Sequence, residues 1–227
     1  MVKKLSDFSV VIRTRNEERW VGYAIQSTLD FLNKPEIIIV DNQSTDKTIE
    51  IVKFFSENPN LNNEKNNYNK IKILNIKNYS PGRALNMGVK HSSKKHIMIL
   101  SAHCILKKFN EKRIIKNLYK NVCVFGNQIP IWNGKKITKR YIWSHFSNKS
   151  TTNMYSDLEK RYFLHNALAI YRKSILKKFP FDENLTSKED RYWAKEIVDK
   201  GYTFLYDPSH IAFHFWTKNG ATWRGLV

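Results

Sequence analysis

At 227 residues and 41% hydrophobic content, the chain can bury a sizeable core as one α/β domain, and no apolar run approaches the roughly 20 residues that span a bilayer. Lys and Arg outnumber Asp and Glu by 39 to 20, a formal net charge of +19 that admits nucleic acid, an anionic membrane surface or anionic small molecules as partners. Two cysteines, Cys104 and Cys123, exclude a disulfide framework, and their separation suits no metal knuckle.

In chain order, Phe8 to Ile12 reads as a first strand, followed by the polar run Arg13 to Glu18. The N-terminus leads into this strand without a signal-peptide core, so a cytoplasmic location is expected. Trp20, Ala24, Ile25, Thr28 and Leu29 follow at helical spacing, and Pro35 interrupts the chain. Ile37 to Val40 predicts a short strand buried on both faces, ending abruptly at Asp41. A polar turn runs to Asp46, and a helix follows with Ile49, Val52 and Phe55 on one side. Ser44 or Thr45 can cap it, and Asp46 suits its positive end.

The stretch 57–70, rich in Asn and Lys, is expected to be a polar loop. Ile71, Ile73 and Leu74 predict a third strand, Asn78 to Gly82 a turn, and Arg83 to Lys90 a helix. Ile97 to Leu100 predicts a fourth strand that ends in Ser101-Ala102-His103-Cys104. This alternation argues for a mainly parallel sheet with right-handed crossovers. Ligands bind at the C-terminal edge of such a sheet, where Asp41 and His103 would lie.

The second half is less regular. A helix through Ile114, Ile115 and Leu118 precedes a strand over Val122 to Phe125, and 130–156 reads as aromatic, basic loop and short helix. His165 to Tyr171 predicts a strand and Glu189 to Lys200 a helix that Gly201 ends. Tyr202 to Tyr206 and Ile211 to Phe215 read as two strands. The expectation is one α/β domain over 1–227, with a mixed, mainly parallel central sheet flanked by helices.

Four motifs carry a family resemblance. Val10-Val11-Ile12-Arg13-Thr14-Arg15-Asn16-Glu17 and Ile39-Val40-Asp41-Asn42-Gln43-Ser44-Thr45-Asp46 resemble the first two signatures of family 2 glycosyltransferases with the GT-A (Rossmann-like) fold. Ser80-Pro81-Gly82-Arg83-Ala84-Leu85-Asn86 is similar to the third, and Lys188-Glu189-Asp190-Arg191 to the late Glu-Asp motif. The order and spacing span nearly the whole chain. The resemblance implies a nucleotide-binding half over 1–108 and an acceptor-binding half over 109–227. It implies a nucleotide diphosphate sugar as donor, UDP-type being the family's commonest, and a glycan or lipid-linked acceptor in surface polysaccharide or glycolipid synthesis.

By the same resemblance, the backbone at Ile12, Arg13 and Thr14 frames the base, with Asn16, Glu17, Asp41, Asn42 and Ser44 beside the nucleotide. Arg83 and Asn86, one helical turn apart, would face the ribose and diphosphate, where a guanidinium suits phosphate geometry. Read without the resemblance, Asp41 is a turn residue, Arg83 a solvated charge and Glu189-Asp190 a charged first helical turn. Ser101-Ala102-His103 departs from the family, which places Asp-x-Asp here to help hold a divalent cation. His103 with a late partner, His214, could bind manganese in preference to magnesium, or His103 could meet the diphosphate directly. An inverting transfer needs a carboxylate to deprotonate the acceptor hydroxyl. By analogy Asp190 is that base and Glu189 positions it, with Asn166 and Trp193 at the acceptor.

The aromatic and basic segment Trp132 to Tyr162 suits an acceptor site, a single-strand binder or an anionic membrane on whose inner face the enzyme sits peripherally. Three other functions compete with the transferase reading. A nucleotidyltransferase would want a glycine-rich loop after the first strand, and Arg13 to Glu17 has no glycine. In a basic nucleic-acid module, the carboxylates at strand and helix ends would repel phosphates, so no nucleic acid is expected. A transferase fold without activity is raised by Ser101 and His103.

Overall fold

The computed structural model describes residues 6–57 and 71–223; the polar stretch expected as loop lies, from residue 58 to 70, outside them. Its centre is a mixed sheet. Strands β1 (Phe8–Thr14), β2 (Glu36–Asp41), β3 (Ile71–Asn75) and β4 (His96–Ser101) run parallel in the order β3-β2-β1-β4. The sheet continues through β11 (Leu168–Arg172), antiparallel to β4, then β6 (Cys123–Trp132), β12 (Phe204–Phe215) and β5 (Cys104–Lys108). β6 is antiparallel to β11, and β12 is parallel to β6, so β6 and β12 run in the direction of the first four strands. The short β7 (Lys135–Lys136) pairs with β6 and β8 (Thr151–Thr152) with β12, while β9 (Tyr155–Ser156) and β10 (Arg161–Tyr162) form a small ribbon.

Helices cover both faces. Each residue of β2 is buried: Ile37 and Ile39 pack toward α1 (Val21–Phe31), α2 (Thr48–Glu57) and α4 (Glu111–Lys120). Ile38 and Val40 pack toward α3 (Pro81–His91), α5 (Lys173–Lys178) and α6 (Glu189–Asp199). This two-sided burial is why the strand has no polar alternation. α3 starts where the sequence signals it: the Ser80 hydroxyl accepts from the Arg83 backbone N–H, and Pro81 opens the helix. Gly88 lets α3 sit close on β1, since a Cβ there would lie 2.4 Å from Val11 Cγ1. Among the described residues, no helix is long and apolar enough to cross a membrane.

Four elements differ from expectation. β6 runs on to Trp132, because β12 pairs with it as far as Ile131. β5 forms an edge strand beyond His103, and α5 was not foreseen. The two expected C-terminal strands are one strand, β12, whose register shifts between Asp207 and Ile211. Asp207 closes that bulge by accepting from Arg113, Asn117 and the Ser209 backbone. Burial opposes its charge, but donors from His210, Arg113 and Ser209 hold it well below the usual carboxylate range.

At the opposite edge of the sheet from the strand C-termini, Glu36 is 1% exposed and accepts from the Ser9 hydroxyl (2.6 Å), the Ser93 backbone (2.6 Å) and Lys72 (2.8 Å). Burial alone would raise its pKa; Lys72 and the two serines outweigh this and lower it from 4.5 to about 2. Because the folded value is depressed, the stabilisation is complete above the unfolded value near 4.5 and is lost as pH falls toward 2. A shift of this size corresponds to at most about 3 kcal/mol. Urea unfolding of Glu36→Gln should therefore show reduced stability at neutral pH and a shallower loss between pH 4.5 and 2.5 than the parent chain.

Candidate active site

The C-terminal ends of β1, β2 and β4 lie side by side, with Arg13 opposite Val40 and Ser101, and Thr14 opposite Asp41. Two loops leave this edge and are stitched to each other. Asn16, in a left-handed conformation (φ 53°), donates its backbone N–H to Ser44 Oγ at 2.9 Å and accepts from Thr45 N at 2.7 Å. Glu17 N donates to Thr48 Oγ1, Glu18 N to Asp46, and Lys47 N to Glu18. Asp41 accepts from Ser44 N (3.0 Å) and Ser44 Oγ (2.5 Å), and Asn42 N donates to Thr14 O. The residues expected around the nucleotide are thus adjacent, and their side chains also fix the loops that would hold it.

A second group joins the two halves of the chain. Arg13 reaches Glu189 at 3.0 Å, and Glu189 also accepts from Asn166 at 3.4 Å. Burial works against the Arg13 charge, but Glu189, Tyr79 and Asp190 outweigh it and raise its pKa. Asp190 accepts from the backbone of Asn166 (3.0 Å) and of Arg191 (2.9 Å) and pairs with the Arg191 guanidinium at 2.9 Å. Glu189 and Asp190 are 5% and 6% exposed. Two neighbouring buried carboxylates each have a guanidinium, as buried charge requires.

A third group is the row Glu17, His103, His214 and Gln128. Glu17 Oε1 lies 3.2 Å from His103 Nδ1, the two histidine Nε2 atoms are 3.1 Å apart, and His214 Nδ1 meets Gln128 Oε1 at 2.7 Å. Burial, then His103 and His165, keep the His214 pKa well below its ordinary value, so this ring is neutral. With Nδ1–H donated to Gln128, its Nε2 is an acceptor and His103 Nε2 the donor. His165 packs against His214, ring centroids 6.1 Å apart. Its pKa is also lowered, by burial first and then by Arg191, His103 and Arg13, which places it between the second and third groups.

These contacts test the chemistry of a divalent cation on His103 and His214. Each ring has an oxygen at Nδ1, the outer-shell arrangement that orients metal-binding imidazoles. Glu17 Oε2, buried beside them, has no hydrogen-bond partner among the described residues. The donors fit, but sparsely. Among the described residues no group of three or more His, Cys, Asp or Glu is arranged to hold an ion, so a cation would rest on two imidazoles and draw its other ligands from phosphate and water.

Four expectations need correcting. Trp193 is 2% exposed, packs against Tyr171 and Phe181 and donates its Nε1–H to Phe179 O, so its ring has no face for a sugar. Asn166 is 3% exposed; its backbone and amide donate to Asp190 and Glu189, and its Oδ1 accepts from Tyr171. Its hydrogen bonds are taken up by the two carboxylates and Tyr171. The Asn86 side chain is occupied by Phe181 N, Phe181 O and Glu183, and it clamps that loop. The Ala102 side chain lies in the core, as does that of Ile12, whose expected contribution is its backbone alone. Arg83, beside Asn86, pairs with Glu183 at 3.1 Å while remaining 43% exposed at its side chain. A cavity of about 220 Å³, lined by Asn16, Glu17, Trp20, Asp46, Trp216 and Thr217 among others, adjoins the histidine row through Glu17.

Residues that sequence reasoning passed over are Arg191, Gln128 and His165. Arg191 follows the Glu-Asp pair directly, and a buried carboxylate pair needs cations, which was an available signal. Gln128 gave none, since its partner is 86 residues distant.

The match to known proteins agrees with this geometry. The model of the family described as "Glycosyl transferase family 2" matches residues 9–179. The chain belongs to that family. Glycosyltransferase AglE of Haloferax volcanii is 26% identical over 94% of this chain, and the O-antigen chain rhamnosyltransferase WbaN of Salmonella anatum 23% over 89%. The chain spans 68% of the first and 64% of the second. Residues 1–349 of TarS from S. aureus, solved with UDP-GlcNAc, share the fold at a TM-score of 0.70 with 20% identity, covering 97% of this chain and 61% of that one. The mannosyltransferase PcManGT of Pyrobaculum calidifontis, solved with GDP-Man and Mn2+, has a TM-score of 0.69 at 17% identity, covering 98% and 61%. The GT-A fold expected from the motifs is the fold observed.

Two variants test the family 2 site's framework. A Cβ at Gly82 would lie 2.2 Å from the Asp182 carbonyl oxygen. Gly82→Ala should displace the loop that Arg83 and Asn86 hold and cost about 1–3 kcal/mol in urea unfolding. Arg13→Met removes the partner of a buried carboxylate and should cost about 3 kcal/mol; Glu189→Gln on the same background should recover part of it.

Proposed function

We propose that the chain is an inverting glycosyltransferase that moves a sugar from a nucleotide diphosphate sugar, UDP-type by preference, to a glycan or lipid-linked acceptor in surface polysaccharide or glycolipid synthesis. The observation behind this reading is the placement of Glu189 and Asp190, each held by an arginine, on the sheet edge that also carries Asp41 and His103. In the proposed division of labour, residues 1–108 hold the donor and 109–227 the acceptor. The names of the relatives support it, as AglE and WbaN are glycosyltransferases and TarS was solved with UDP-GlcNAc.

In the reaction, the backbone at Ile12 to Thr14 and the stitched loops at Asn16, Glu17, Asp41, Asn42 and Ser44 bind the nucleoside. Ser101 and Arg83 flank the diphosphate. Asp190 takes the proton of the acceptor hydroxyl as that oxygen attacks the anomeric carbon on the side opposite the diphosphate, which inverts the centre. Three N–H donors on Asp190 hold the carboxylate in one orientation for this. Glu189, fixed by Arg13 and Asn166, positions the acceptor side. A manganese ion on His103 and His214, when bound, would neutralise charge on the leaving diphosphate.

A thermal-shift series with UDP, GDP and other nucleoside diphosphates, with and without manganese, tests the donor site. One of them should raise the melting temperature, and no shift under either condition removes the assignment. Asp190→Asn should keep that shift and lower turnover about 10³-fold. Near-normal turnover in this variant would place the base elsewhere.

A further inference from the structure

Between Lys112 and Ser156 the sequence has nine Lys or Arg and no Asp or Glu. Two of the nine are engaged inward: Arg113 with Asp207, and Lys139 Nζ with Asn127 and the Phe146 carbonyl. Three others, Lys135, Lys136 and Arg140, are exposed and form no salt bridge among the described residues. They sit on one projection. β6 and β7 form a hairpin in which Trp132 pairs with Lys135 across the two-residue turn Asn133-Gly134. Both turn residues have positive φ, 47° and 73°, the tight geometry that Asn-Gly favours. Residues 132–136 are all exposed, so the tip stands clear of the body. Trp132 is 40% exposed and Tyr141, just after Arg140, 63%.

The projection is built onto the rim of the candidate site. In the sheet, Pro130 is opposite His214 and Ile131 opposite Phe215, while Trp216 N donates to Ile131 O. The turn following Tyr141 places Trp143 edge-on to His214 at 4.8 Å. A surface touching the hairpin therefore meets the sheet edge that carries His103 and His214.

We propose that this hairpin and the adjoining Arg140-Tyr141 dock the protein on an anionic phospholipid bilayer, with the candidate active edge turned toward the lipid headgroups. Indole and phenol rings favour the headgroup layer, and unpaired cations beside them are drawn to anionic lipid. An exposed tip offers no groove to enclose a polymer, whereas a flat charged surface needs only the tip. The proposal goes beyond the transferase reading and does not depend on it, because docking is measured with neither donor nor acceptor present.

The test is vesicle sedimentation with phosphatidylcholine alone and with phosphatidylcholine mixed with phosphatidylglycerol. The full chain should bind the anionic vesicles, bind the neutral ones weakly, and be released by salt. Each cation near the surface is worth about five-fold in partitioning, so Lys135→Gln/Lys136→Gln/Arg140→Gln should lower the partition coefficient about 100-fold. Trp132→Ala should weaken it further without changing the salt dependence. The control removes equal charge from exposed positions of α4, as Lys112→Gln/Lys116→Gln/Lys120→Gln, and should retain binding within about two-fold of the parent. Equal losses in both triple variants would reduce the effect to net charge and overturn the assignment. So would absence of binding to anionic vesicles, whether or not the chain binds soluble polyphosphate. A melting temperature left unchanged in the hairpin variant, measured without ligand, would show that any loss of docking is not a loss of fold.

Discussion

The pair Arg13 and Glu189 is the constraint on which the candidate site depends. Arg13 ends the first strand, and Glu189 begins a helix near the end of the chain; their contact at 3.0 Å ties the two halves across the sheet edge. Two adjacent carboxylates buried at a helix start would repel each other and lose hydration together. The sequence answers with one guanidinium from each side, Arg13 from the strand and Arg191 from the helix itself. Asn166 then fixes both acids through its backbone and its amide. Removing one cation leaves the remaining charges mismatched, so the site is a unit, not a set of separable residues.

The same edge is held from below by loop chemistry. Backbone N–H groups of residues 16–18 meet side-chain oxygens of Ser44, Thr48 and Asp46, and Asn16 and Glu18 return the bond to Thr45 and Lys47. A loop whose backbone donors end on side chains keeps its shape without secondary structure. This gives a second meaning to the Asn-Glu-Glu and Ser-Thr-Asp-Lys-Thr motifs, which form the floor of the site whatever they do for a ligand.

Much of this was legible in the sequence. The isoleucines of β2, the β/α alternation and the Ser80-Pro81 helix start all act locally, and the described residues up to Ser101 fold as their pattern suggests. The second half is decided by pairing at a distance. β6 extends because β12 lies beside it, and β12 stays one strand because Asp207 draws Arg113 and Asn117 to its bulge. The Asn133-Gly134 turn was a readable hairpin signal inside a segment expected to be irregular. The partners of Asn86, Asn166 and Trp193 were not legible, because a side chain's partner depends on what the fold brings opposite it. For Trp193 the spacing on α6 already allowed the core position it takes.

The row from Glu17 to Gln128 has one more property. An amide can turn over end for end, exchanging its oxygen for its nitrogen with little change in shape. If Gln128 did so, His214 would accept at Nδ1 and donate at Nε2, and His103 would accept at its own Nε2 while its Nδ1–H still faces the Glu17 carboxylate. The bonds from Gln128 to His214 and from His214 to His103 would both reverse sense, while the one to Glu17 would not. A glutamine buried in the sheet would then choose which way the histidine at the active edge is polarised.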